Sequence, residues 1–106
     1  MFKLKIINEF IHSPIWIYEK DSIVDEPSII ANDEVLKNLC DKVENMFSSY
    51  YEFDSHDVPC WFNQDKEKAE KGKMLDLINR IKKRLNEIND GSFTIEDFET
   101  ERLKNL

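Results

Sequence analysis

From Met74 to Ile88 the apolar residues Met74, Leu77, Ile78, Ile81, Leu85 and Ile88 fall three or four positions apart, and the pattern stops at Asn89-Asp90-Gly91. Residues so spaced share one face of an α-helix, and that face must be buried against something else. Asn and Gly tolerate the left-handed backbone that closes a helix. A second stripe, Leu36, Leu39, Cys40, Val43, Phe47 and Tyr50, has the same period. Asn32 or Asp33 is placed to cap it and Glu34 suits its first turn, which predicts a helix over about 33–50. The opening Phe2-Lys3-Leu4-Lys5-Ile6 alternates instead, and Ile15-Trp16-Ile17-Tyr18 follows the Ser13-Pro14 break, so two strands are expected there.

The remaining elements are shorter. Asp21 to Ile30, with Pro27 inside, reads as an acidic loop, and Tyr51 to Phe62 as an irregular connection with a short strand near Tyr51 to Phe53. The second long helix starts near Asn63, or after Gly72, which costs about 1 kcal/mol relative to Ala. Thr94 with Asp97 three residues on resembles a capping box for a final helix over about 95–104, with a short strand over Ser92 to Ile95 as the other reading. The fold expected is α+β, an N-terminal strand pair packed on two longer amphipathic helices with a short C-terminal helix. The alternative is mostly α, if the opening segments are only extended. At 106 residues the chain buries roughly 65% of its unfolded surface, enough for one domain over 1–106.

Charge narrows the function. The net charge of −7 is unevenly spread: residues 21–63 carry ten acids against Lys37 and Lys42, a net of −8, whereas residues 64–89 carry eight bases against five acids. An acidic surface repels nucleic acid and attracts a basic protein. No apolar run reaches the ~18 residues that span a bilayer, and the first residues lack the parts of a signal peptide, so a cytoplasmic protein is expected. Cys40 and Cys60 sit in no disulfide framework and are read as reduced.

Candidate chemistry is sparse. Cys60 with His56 is the one local thiol and base pair, and Asp54, His56, Asp57 and Cys60 are possible zinc ligands, but metal sites usually repeat two-ligand clusters that this chain lacks. Aligning 86–97 on a calcium loop puts Ile88 at a ligand position and the shorter Asp97 in place of the closing Glu, which defeats that reading. With only Gly72 and Gly91 there is no glycine-rich phosphate cradle. Neither cofactor nor metal is expected, and no enzyme. The basic run over 66–84 suggests an RNA-binding or regulatory module as the rival function.

The densest feature is Tyr50-Tyr51-Glu52-Phe53-Asp54-Ser55-His56-Asp57-Val58-Pro59-Cys60-Trp61-Phe62, with five aromatics, three acids and no Lys or Arg. Aromatic anchors among carboxylates suit a basic partner, with a packed core of Phe53, Trp61 and Phe62 as the alternative. This block through Asn63, together with residues 84–103, resembles the small immunity proteins of bacterial contact-dependent growth inhibition and related polymorphic-toxin systems. The resemblance implies a cytoplasmic protein that binds and neutralises the toxic C-terminal domain of a cognate effector, commonly a nuclease. It carries over no functional residue. The physical reading places Glu52, Asp54, His56, Asp57 and Trp61 on the partner-binding surface, with Glu96, Asp97 and Glu99 as a second acidic contribution.

Overall fold

The computed structural model describes residues 2–52 and 61–106. Strands β1 (Phe2–Ile6) and β2 (Ile15–Glu19) pair antiparallel, with Leu4 opposite Ile17 and Ile6 opposite Ile15, so the alternation puts those four side chains on one buried face. A tight turn follows, with Lys20 and Asp21 at φ of 51° and 66°, the paired left-handed conformation that suits the twist of a two-residue hairpin. It leads into the two-residue edge strand β3 (Ser22–Ile23). The sheet is larger than the expected strand pair, since β6 (Phe93–Asp97) joins β1 in parallel to give the order β3-β2-β1-β6.

Between β3 and β6 lie a single turn of helix, α1 (Ser28–Ala31), and then α2 (Glu34–Ser48), capped by Asp33, whose side chain accepts the Leu36 N–H at 2.8 Å. A small hairpin of β4 (Tyr51–Glu52) and β5 (Trp61–Phe62) precedes α3 (Gln64–Ile88), which is capped by Asn63. Helix α3 runs unbroken through Gly72. The whole 25-residue helix is carried by the apolar stripe of its second half and by the cap at its start.

The final helix α4 (Glu99–Lys104) is shorter than expected because 93–97 is strand. Its capping side chain is Asp97, which accepts the N–H groups of Glu99 and Thr100 at 2.8 and 3.0 Å. The helical start thus lies one turn later than Thr94 suggested. One continuous core joins Leu4, Ile17 and Phe93 of the sheet to Leu36 and Val43 of α2 and to Met74, Ile78 and Leu85 of α3, with Leu103 of α4 beneath. This is the α+β fold expected. Across the sheet, Lys3, Lys5, Trp16, Tyr18 and Thr94 face the opposite way, and Lys5 Nζ stands 4.6 Å from the centre of the Tyr18 ring. No helix of the described residues is long and apolar enough to cross a membrane.

Candidate functional site

The β4–β5 hairpin divides its aromatic residues by strand alternation. Phe62 packs with Tyr51 at 5.1 Å, Phe47 at 5.6 Å and Tyr50 at 6.0 Å between ring centres, so it and Tyr50 belong to the core side. Trp61 points the other way and is 51% exposed. Directly across the hairpin stands Glu52, paired with Trp61 in register. Opposed residues of an antiparallel pair share a face, so the structure brings these two sequence-chosen residues together. Glu52 Oε1 accepts a hydrogen bond from Asn63 Nδ2 at 3.2 Å, which ties it to the start of α3. Asp54, His56 and Asp57, with Phe53 and Cys60, lie outside the described residues.

The C-terminal acids do not extend that patch. Glu99 is buried, accepts the Asn8 N–H at 2.8 Å and receives Arg102 Nε at 2.7 Å. Its place in the expected acidic surface is corrected, since the residue is only 3% exposed and fastens α4 to Asn8, just beyond β1. Asp97 is consumed by its cap, by Thr100 Oγ1 and by Lys82 at 3.1 Å. Burial alone would raise its carboxyl pKa, but these hydrogen bonds outweigh it and hold the group below the ordinary carboxylate range. Glu96 remains half-exposed, on the open face of the sheet, where Lys3 meets it at 3.3 Å.

The acids left without cations lie elsewhere. Of those in 21–44, Asp33 is closed by Arg84, whereas Asp21, Asp25, Glu26, Glu34, Asp41 and Glu44 make no ion pair among the described residues. The excess charge of 21–63 is plain in the sequence, but the aromatic block within it does not mark where the unpaired acids lie. Three of them, Asp25, Glu26 and Asp41, border a groove between the start of β2, α1 and α2. One cavity of about 320 Å³ is lined by Ile15, Ile30, Leu36 and Cys40 with Glu26, Lys37 and Asp41 at its rim. A second, also of about 320 Å³, shares Ser13, Ile15 and Glu26 with it and continues past Val24 and Asp25 to Trp16 and His12.

The bases of α3 behave differently. Lys66 and Lys71 donate to the carbonyls of Ser49 and Leu106, Arg80 pairs with Asp76, Lys82 with Asp97 and Arg84 with Asp33. Among the described residues five of the eight bases over 66–84 are thereby engaged inside the molecule, and Lys68, Lys73 and Lys83 have no such partner. Burial pushes the Cys40 thiol up to about 12, reinforced by the field of Glu26, Asp41 and Glu44 against a hydrogen bond from Ser13, so it stays a thiol rather than a nucleophilic thiolate. Among the described residues no group of three His, Cys, Asp or Glu is placed to hold a metal ion.

Comparison with protein-family models, with curated proteins and with solved structures finds no match for this chain.

Proposed function

We propose that this chain is a cytoplasmic bacterial immunity protein, which binds the toxic C-terminal domain of a contact-dependent inhibition effector and neutralises it stoichiometrically, without turnover or cofactor. The observation that carries the reading is the imbalance of unspent charge. Apart from Asp33, the carboxylates of 21–44 stand without cations among the described residues, while most bases of α3 are already paired. A toxin that cleaves RNA or DNA presents Lys, Arg and His to a polyanion, so an acidic surface fits the same positive field. Electrostatic steering makes such association fast. Trp61, exposed beside Glu52, supplies an aromatic anchor whose desolvation slows dissociation.

The resemblance over 50–63 and 84–103 points to the same class of partner. The test is growth protection: the chain is co-expressed with toxin domains of contact-dependent inhibition effectors in a sensitive bacterium. Protection from one such domain, with a one-to-one complex isolated by size exclusion, is the expected result. Failure to protect against any, with submicromolar RNA affinity and a steep salt slope instead, would favour the RNA-binding module and overturn the proposal.

A further inference from the structure

The groove between β2, α1 and α2 joins two properties that a merely solvated acidic surface does not combine. Its walls are apolar and buried, with Ile15, Ile30 and Leu36 each no more than 5% exposed. Its rim carries Glu26 and Asp41, both exposed and neither with a hydrogen bond or ion pair among the described residues. Lys37 also lines the rim but makes no ion pair among the described residues, so the opening holds two carboxylates against one lysine and neither carboxylate is closed by a direct contact.

We propose that this groove seats an arginine side chain carried on an extended segment of the partner, its aliphatic stem along Ile15, Ile30 and Leu36 and its guanidinium against the Glu26 and Asp41 carboxylates. The inference rests on the reading above, in which the partner is a basic toxin domain. Arginine fits on three grounds. Its stem is an apolar rod that gains from buried walls, whereas its planar head is weakly hydrated and forks onto carboxylates. An anionic or purely aliphatic occupant would leave the rim carboxylates facing it unpaired, a cost that discriminates against both. The first cavity, about 320 Å³, is of a size that takes one long side chain, and the adjoining cavity continues the path for its neighbours, with Asp25 placed along it. The negative field reaches the floor as well, since Glu26, Asp41 and Glu44 all act on the Cys40 thiol.

The test uses the full ¹⁵N-labelled chain and N-acetyl-arginine methylamide at low salt, read by amide chemical shifts. Saturable shifts centred on Ile15, Ile30, Leu36 and Cys40 are expected, with affinity falling roughly tenfold or more in the Glu26→Gln/Asp41→Asn double variant. N-acetyl-norleucine methylamide should produce no saturable shift there. Shifts that rise linearly, that scatter over the acidic surface, or that persist unchanged in the double variant would overturn the proposal. Neither carboxylate holds the fold together, so the variant's spectrum should stay dispersed. Growth protection is a separate readout: arginine binding without protection faults the toxin reading, and protection by a chain whose groove ignores arginine faults the groove alone.

Discussion

Asp33 does two jobs with one carboxylate: it caps α2 through the Leu36 N–H at 2.8 Å and holds Arg84 of α3, with Nε at 3.1 Å from each oxygen and Nη2 at 2.7 Å from Oδ2. The contact binds the start of one long helix to the far part of the other. Asp33→Ala removes the cap, which alone destabilises by about 1 kcal/mol, and frees the guanidinium as well. Urea unfolding should show a loss of at least that size, with Asp33→Asn, which can still cap, losing less.

Arg102 presents its guanidinium to Glu67 at 3.0 and 2.8 Å and to Glu99 at 2.7 Å, and both carboxylates are almost fully buried. Pairing with Glu67 first, and then with Glu99, raises the guanidinium pKa well above its ordinary value. Arg102→Met strands two buried carboxylates. We expect a loss of about 3 kcal/mol in unfolding free energy, the lower end for a broken buried pair because Arg102 keeps some solvent contact.

Gly72 lies inside α3 with nothing within 4 Å of where a Cβ would stand. Gly72→Ala should therefore stabilise the protein by about 0.5–1 kcal/mol, measured as a rise in the urea midpoint at unchanged slope.

Acid should weaken the fold through Asp33 and Asp97. Hydrogen bonds from Arg84 hold the Asp33 carboxyl below the ordinary range, against a smaller effect of burial, and Asp97 is likewise lowered by its donors despite burial. Their stabilisation is therefore present above the unfolded carboxyl pKa of about 3.9 and disappears as pH falls through the lower folded values. Unfolding free energy should decline below about pH 5, and Asp33→Asn with Asp97→Asn should flatten that decline.

Trp61 is half-exposed on the hairpin, opposite Glu52. Trp61→Ala should leave thermal stability nearly unchanged while weakening toxin binding by about 2 kcal/mol or more, the size of an interface anchor. A variant that unfolds more easily but binds as before would place Trp61 in the core instead.

Periodicity made the two long helices and the first two strands legible, because each buries one face and the spacing of that face is written in its letters. Strand β6 was harder to see. Its residues Thr94 to Asp97 carry helix-cap chemistry, and the parallel pairing to β1, some ninety positions earlier in the chain, leaves no local trace. The acids show the same limit. Sequence located the charge in 21–63 but could not tell which carboxylates the fold would spend: Glu99 and Asp97 turn inward to basic partners, while Glu26 and Asp41, without an ion pair among the described residues, border an apolar groove.

The most direct measurement of the central claim is the salt dependence of the dissociation constant for the toxin domain identified by growth protection, compared between the natural chain and the Glu26→Gln/Glu34→Gln/Asp41→Asn/Glu44→Gln variant. Affinity should fall with salt in the natural chain, and the variant should form a weaker complex with a shallower slope. Equal affinities and equal slopes, with both chains folded, would contradict it.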